Sequence, residues 1–329
     1  MRKHNITNVY WNRCYDKYSI SRDSEIKSRL IEQNVNVKTF NGSLLIEPWK
    51  CLKDDGTHYK VFTPFRKQLM KIRPYTPNLP EISTSKFIKL NESKDINELD
   101  YLKGNHNNWQ NILKHWQVGE NAALGILENF LEQKVDEYKL ARDFPAIDCT
   151  SRLSPYLHFG EISPNLIYNA VQQSGDTDNH HHFLSELAWR DFSHYIMFYY
   201  PDFDTKNINS KYDNFKWDNN SEFLEKWQKG QTGIPIVDAG MRELWQTGYM
   251  HNRVRMIVAS FLIKNCLVHW KYGEKWFFDT LFDADIANNN ASWQWVAGCG
   301  MDAAPYFRIF NPILQAQKFD KQGEYIRKY

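Results

Sequence analysis

Features that mark several large protein classes are missing from this sequence of 329 residues. No stretch is long and apolar enough to span a bilayer, and the opening segment MRKHNITNVYWN lacks the apolar core of a secretory signal. The five cysteines have no spacing typical of a metal site, and an odd number without a signal favours reduced thiols. We therefore expect a soluble cytoplasmic protein that binds no metal, including at the His180–His182 run.

An excess of charge of one sign is also missing. Lys and Arg total 41 against 39 for Asp and Glu, so the formal net charge is +2. A nucleic-acid partner would have to be attracted by a local basic face rather than by the whole molecule. The GxGxxG, GxxxxGK, HExxH and GxSxG signatures are absent from the second half, which argues against the common dinucleotide, phosphate-loop, zinc-protease and serine-hydrolase sites.

The first part of the chain has the pattern of an α/β unit with too few strands. Short apolar segments at 8–11 and 35–40 predict strands, and 21–33 predicts a helix with Ser21 as its cap. Pro64 is placed to open a short basic helix that runs through Ile72. Residues 1–73 are therefore interpreted as the remnant of an N-terminal α/β, Rossmann-like domain.

The rest of the chain is predicted to be helical. Residues 74–111 contain closely spaced prolines and little periodicity, which indicates an interdomain linker. From residue 112 to 329 helical patterns dominate, and Ser163-Pro164 has the form of a helix start. The predicted fold class is mainly α, an all-helical domain preceded by an incomplete α/β domain.

Several blocks in the helical part combine polar and aromatic side chains in an unusual way. They are TSRLSPYLHFGEIS (150–163), ELAWRDF (186–192), GQTGIPIVDAGMREL (230–244), MHNRVRM (250–256), DADIANNNASWQW (283–295) and GMDAAPYFRIFNPILQ (300–315). Their order and content closely resemble the DNA photolyase/cryptochrome family, in particular its bacterial cyclobutane-dimer photolyases. The resemblance extends from about residue 8 to the end, and the chain is shorter than the family pattern at both ends.

The resemblance implies one FAD, reduced in the active state. By themselves, Thr150, Ser151 and Ser154 are hydroxyls before a helix and are more simply explained as caps. In the family this segment grips the FAD phosphates, and the residues equivalent to Arg255 and Asp283 form an ion pair beside the flavin ring. The full set implied to bind FAD is Tyr138, Thr150, Ser151, Arg152, Leu153, Ser154, Arg255, Asp283, Ala284, Asp285 and Asn289.

Catalytic roles follow from the same resemblance. Glu186 would hydrogen-bond the dimer, and Asn289 would face N5 of the flavin. Trp217, Trp270 and Trp293 match the family's tryptophan relay, although core packing is the better explanation of their spacing alone.

Contacts to damaged DNA are also implied. Glu186, Trp189 and Arg190 share one helix face, which without the resemblance could be an intrahelical ion pair on a solvated surface. Glu186 and Trp189 would meet a flipped-out dimer, so we expect the carboxyl to be buried. The implied DNA-binding set is Arg142, Glu186, Trp189, Arg190, Asn252, Arg253, Met256, Trp295 and Gln315, with the arginines Arg142 and Arg253 on phosphates.

The expected activity is light-driven splitting of cyclobutane pyrimidine dimers by a monomeric carbon–carbon lyase. Photolyases of the (6-4) lesion carry histidine where this chain has Asn252, and DASH cryptochromes lack the WQW sequence at 293–295. An acidic contact to a folate antenna is replaced around Tyr18 and Ser19, which argues against bound methenyltetrahydrofolate. The alternatives are a cryptochrome-like photoreceptor, a helical nucleic-acid-binding module, and a shortened chain whose site residues survive in an unstable fold.

Overall fold

The computed structural model describes residues 5–72 and 112–329. The predicted linker at 74–111 lies outside these residues. Over the two described ranges, no helix combines the length and apolarity needed to cross a membrane. The predicted fold class is confirmed, because helices make up most of the structure and strands occur only near the N-terminus.

A small parallel sheet forms the N-terminal unit. Strand β1 (Asn8–Asn12) pairs with β2 (Asn36–Phe40), in a register that sets Asn8 opposite Asn36. Helix α1 (Lys17–Glu32) connects them. The predicted Ser21 cap is wrong: Asp16 accepts from the Ser19 backbone amide and starts the helix earlier, so Ser21 lies inside it.

The remaining helices, in chain order, build the larger part of the molecule. Those before the long central helix are α2 (Phe62–Ile72), α3 (Glu120–Gln133), α4 (Tyr138–Ala141), α5 (Ser154–Phe159) and α6 (Pro164–Ser174). From there onward they are α7 (Asp178–Tyr199), α8 (Ser221–Gln228), α9 (Pro235–Thr247), α10 (Asn252–Ser260), α11 (Trp270–Thr280), α12 (Ile286–Ala297), α13 (Pro312–Phe319) and α14 (Glu324–Lys328).

Helix α7 is the central support of the molecule. It packs against α2, α6 and α12, so it contacts both the N-terminal unit and the C-terminal helices. One apolar core surrounds α7 on the N-terminal side, and a second lies among α9, α10, α11 and α12. The predicted start of α6 is confirmed, since the Ser163 hydroxyl accepts from the Asn165 amide and Pro164 is the first helical residue.

Candidate functional site

A cavity of about 670 Å³ opens between the two apolar cores. Its walls come from α4, α7, α10 and α12 and from the segments 150–154 and 281–285. Of the site residues predicted from sequence, only Trp217, Trp270 and Gln315 do not line it. Those that do are Tyr138, Arg142, Thr150, Ser151, Arg152, Leu153, Ser154, Glu186, Trp189, Arg190, Asn252, Arg253, Arg255, Met256, Asp283, Ala284, Asp285, Asn289, Trp293 and Trp295.

One wall of the cavity carries a buried ion pair. The Arg255 guanidinium lies 2.9 Å from Asp283 Oδ2, and the Ser154 hydroxyl donates to the same oxygen at 2.6 Å. Burial opposes the charge on Arg255, but Asp283 outweighs it and raises the arginine pKa. Within the described residues Asp283 Oδ1 is buried without a hydrogen-bond partner, so this oxygen is available to a bound group.

Tyr249 is a component of this wall that sequence reasoning missed. Its ring lies under two guanidinium groups, 5.2 Å from Arg255 and 5.4 Å from Arg152. Burial raises the pKa of Tyr249, and a hydrogen bond with Thr150 acts in the opposite direction. Only its position directly before the MHNRVRM block could have drawn attention to it.

The hydroxyls of the 150–154 segment are not equivalent. Ser154 donates to Asp283, whereas Ser151 Oγ accepts from the Leu153 amide at 3.4 Å and keeps its own hydrogen for a ligand. Arg152 has a φ of 52°, an unusual left-handed conformation for this residue type, and it is exposed at the cavity edge.

Asp285 lies close to two histidines in the cavity wall. Burial alone would raise its pKa, but His194 and His158 lower it well below the usual range. His194 Nε2 lies 3.4 Å and His158 Nδ1 3.9 Å from Asp285 Oδ2. Asp285 also caps α12 by accepting from the Asn288 amide.

Asn289 is oriented by a neighbouring carboxylate. Its Nδ2 donates to the main-chain oxygen of Glu274 at 2.9 Å and to Glu274 Oε1 at 3.0 Å. Both amide hydrogens are therefore directed at α11, and Oδ1 is the polar atom left for the cavity. Burial raises the pKa of Glu274.

The three tryptophans of the predicted relay differ in burial and in their relation to the cavity. Trp293 lines it, Trp270 is 1% exposed in the second core, and Trp217 is half-buried. The His269 ring lies between the outer two, with centroids 5.1 Å from Trp217 and 5.5 Å from Trp270.

Three of the predicted DNA-contacting residues at the cavity mouth already form ion pairs within the protein. Arg142 forms a bidentate ion pair with Glu186, in which Nη2 lies 3.0 Å from Oε2 and Nη1 contacts Oε1. In a second pair, Arg253 Nη2 lies 2.6 Å from Asp143 Oδ2. Glu186 is 33% exposed, so the expectation of a buried carboxyl is wrong: the side chain points to the mouth and is neutralised by Arg142. Any phosphate contact by these arginines has to compete with an internal carboxylate.

The other members of the predicted DNA-binding set differ in their surroundings. Arg190 donates to the Ser43 carbonyl and so ties α7 to the N-terminal unit. Gln315 lies on α13, away from the cavity lining, with Oε1 buried and unpaired within the described residues. Asn252, at the start of α10, is exposed, while Met256 is half-buried in the cavity wall.

The lining fits a large planar cofactor with a charged part. The cavity has the size of small-molecule sites, it is walled mainly by apolar and aromatic groups, and it presents the free Asp283 Oδ1, the Ser151 hydroxyl and Arg255. The described residues contain no group of three His, Cys, Asp or Glu side chains arranged to hold a metal ion.

Comparisons with known proteins agree with this chemistry. A model of the FAD binding domain of DNA photolyase matches residues 183–329, and a model of DNA photolyase matches residues 1–83. The chain is 43% identical to the deoxyribodipyrimidine photo-lyase of Agrobacterium fabrum, over 98% of this chain and 68% of that protein. It is 34% identical to Cryptochrome-2 of Arabidopsis thaliana, over 98% of this chain and 55% of that protein.

A solved structure is similar throughout. The crystal structure of a bacterial class III photolyase from Agrobacterium tumefaciens matches with a TM-score of 0.94 at 42% identity. The match covers 100% of this chain and 69% of that one, so the chain spans about two thirds of the length of these photolyases.

Proposed function

The chain belongs to the DNA photolyase/cryptochrome family and contains its FAD-binding domain, and we propose that within this family it is a light-driven enzyme that splits cyclobutane pyrimidine dimers in DNA. One observation carries the proposal. The residues implied to hold FAD line the same cavity as those implied to hold the lesion, apart from Gln315, although they come from segments distant in sequence. A cofactor and a flipped-out pyrimidine dimer could therefore meet there.

Reduced FAD supplies, when bound, the light-excited electron that opens the cyclobutane ring. The protein's residues hold and orient it. Arg255 and Asp283 would bind the polar edge of the ring, and the Ser151 hydroxyl would meet the diphosphate. Asn289 presents Oδ1, an acceptor suited to a ring N–H group.

The mouth of the cavity is equipped to receive two pyrimidines. Trp189 and Trp295 offer ring faces for stacking, and Met256 adds apolar surface. Glu186 is already paired with Arg142, so both side chains would exchange partners when DNA enters. Arg142 would then meet a phosphate, and the Glu186 carboxyl would be free to hydrogen-bond the dimer.

The test is repair of an oligonucleotide containing one thymine dimer by the purified, FAD-loaded chain under blue light, with a dark control. We expect light-dependent recovery of intact thymines, and Glu186→Ala to repair more slowly by about 10²-fold or less, as for a lost polar contact at the reacting group. Repair by Glu186→Ala at the wild-type rate would remove the role given to this carboxyl.

The second candidate is a flavin photoreceptor without repair activity. It is favoured by the 34% identity to Cryptochrome-2 over nearly the whole of this chain. FAD that is bound and photoreduced, with no loss of dimers in the light, would support it over repair.

A further inference from the structure

Two tryptophans of the cavity mouth are supported from behind by residues outside the cavity. The Trp189 ring lies parallel to the Phe62 ring, with centroids 3.6 Å apart and planes at 9°. The Trp295 indole Nε1 donates to the main-chain oxygen of Asp302 at 3.0 Å. The Trp189 ring therefore has one face covered and the other left to stack on a ligand, while the Trp295 ring is held at its Nε1 edge.

Asp302 connects the two supports. Its main-chain oxygen accepts from Trp295, and the Phe62 backbone amide lies close enough to its carboxyl to oppose the rise in pKa that burial causes. A continuous series of contacts thus runs from Trp189 through Phe62 and Asp302 to Trp295. Asp302 has a φ of 56°, a left-handed conformation that Asp, Asn and Gly adopt more readily than other residues.

Phe62 lies behind the cavity wall, in contact with Trp189. It is 7% exposed and begins α2, which packs against α7 beside Trp189. Amides at a helix start have no acceptor within the helix, and the Asp302 carboxyl lies close to that of Phe62. Loss of this contact would release the end of α2 and the ring that covers Trp189.

We propose that Phe62 and Asp302 form a clamp that fixes the spacing between Trp189 and Trp295, and so makes the cavity mouth selective for the joined pyrimidines of a dimer. The ligand assignment rests on the proposed function. Both clamp residues are positioning residues, since neither lines the cavity. A slot of fixed width favours a ligand whose rings already have that spacing over undamaged, stacked bases.

Substitutions can separate the parts of the clamp. Asp302→Gly keeps the backbone conformation and the carbonyl but removes the carboxylate, whereas Asp302→Asn keeps a side-chain acceptor. Phe62→Leu removes the ring behind Trp189. Its matched control is Phe65→Leu on the same helix, because Phe65 packs on Phe192 and Tyr195. Asn34→Gly controls for glycine at a left-handed position, with a φ of 59° after α1.

The first measurement is binding and repair by the FAD-loaded full chain. We expect Asp302→Gly and Phe62→Leu to raise Kd and KM for a dimer-containing oligonucleotide about tenfold, the size of one lost base–aromatic stacking contact. The kcat, the FAD content and the Kd for undamaged DNA should not change. Asp302→Asn and both controls should behave as wild type. A loss in kcat or FAD content without a change in KM would overturn the clamp.

The second measurement needs no DNA. Hydrogen exchange of the Phe62 amide, resolved to single residues, should become faster in Asp302→Gly but not in Asp302→Asn or Asn34→Gly. Unchanged exchange would overturn the clamp even if the chain repairs dimers. Faster exchange in a chain whose wild type neither binds nor repairs dimers would support the Asp302–Phe62 contact while rejecting the dimer as ligand, and with it the proposed function.

Discussion

At the residue scale, the charge inside the cavity depends on one buried pair. Asp283 neutralises Arg255, and its second oxygen is free for the cofactor. Asp283→Asn should leave the guanidinium without a counter-charge and cost about 3 kcal/mol of unfolding free energy, with a marked loss of retained FAD. Urea unfolding and the flavin-to-protein absorbance ratio measure both effects. Glu222→Gln, which breaks an exposed pair with Lys226, should alter neither.

At the same scale, folding changes the protonation of the buried His251 side chain. Its Nδ1 caps α10 by accepting from the Arg253 amide, so its hydrogen is on Nε2, which is buried without a partner in the described residues. Burial lowers its pKa to about 4, helped by Arg142, Arg255 and Arg253 and opposed by Asp143. The unfolded chain therefore binds a proton that the folded chain refuses, and stability should fall as pH decreases from about 6.5 towards 4.

The free energy of unfolding should fall by about 3 kcal/mol between pH 6.5 and pH 4. His251→Asn keeps a good cap but does not titrate, so the wild type should lose stability relative to it as the pH falls. Nuclear magnetic resonance titration of the imidazole gives an independent check. A His251 pKa near 6.5 in the folded protein would contradict the prediction, and His181→Asn, at an exposed histidine, is the control.

At the scale of elements, the contact between α11 and α12 depends on a glycine. A Cβ at Gly273 would lie 2.2 Å from the buried Trp293 ring, a distance that no side-chain adjustment in a packed core removes cheaply. Gly273→Ala should therefore destabilise the protein by about 1–3 kcal/mol, despite the better helix propensity of alanine. Gly125→Ala, in α3 with open space around it, should stabilise by about 0.5–1 kcal/mol in the same urea assay.

Whether the sequence predicts a structural feature depends on whether the contact that determines it is local or joins residues far apart in the chain. Ser163-Pro164 specifies its helix start locally, and the prediction holds. Asp16 and Ser21 are both suitable caps near one helix, and the pattern does not show that Asp16 prevails. Most of the site residues that the resemblance named line one cavity, although the resemblance did not show the cavity itself. The Phe62 stack and the Arg142–Glu186 pair join distant segments without any periodic signal, so they required the structure.

At the scale of the whole molecule, the N-terminal unit is held to α6 and α7 by side chains that hydrogen-bond to its main chain. Arg190 donates to the Ser43 carbonyl, Asn165 donates to the Leu44 carbonyl, and Asp191 Oδ2 accepts from the Ile46 amide at 3.0 Å. Because Trp189 is adjacent to Arg190 on α7, the attachment of this unit and the geometry of the cavity mouth are determined together. A change that loosens the 43–46 segment should therefore reach the cavity through Arg190 and the adjacent Trp189.

The attachment should carry a pH dependence through Asp191. The carboxyl is 2% exposed, and burial raises its pKa to about 6, against the opposing effects of Arg190, of the Ile46 and Leu45 amides and of His194. The folded protein then holds a proton that the unfolded chain has released, so stability falls as pH rises from about 4 to 6, by about 3 kcal/mol. Asn at this position cannot titrate but can still accept from an amide.

Asp191→Asn should therefore gain stability relative to wild type by about this amount between pH 4 and 7, as measured by urea unfolding at several pH values. The contribution of His251 is common to both proteins and cancels in the difference. Asp202→Asn is the control, because Lys17 and Lys206 lower the pKa of this exposed carboxyl and its difference should have the opposite sign. A pH-independent difference for Asp191→Asn would mean that the buried carboxyl is already ionised at low pH, and that the N-terminal unit is attached by a charge rather than by a neutral hydrogen-bonding group.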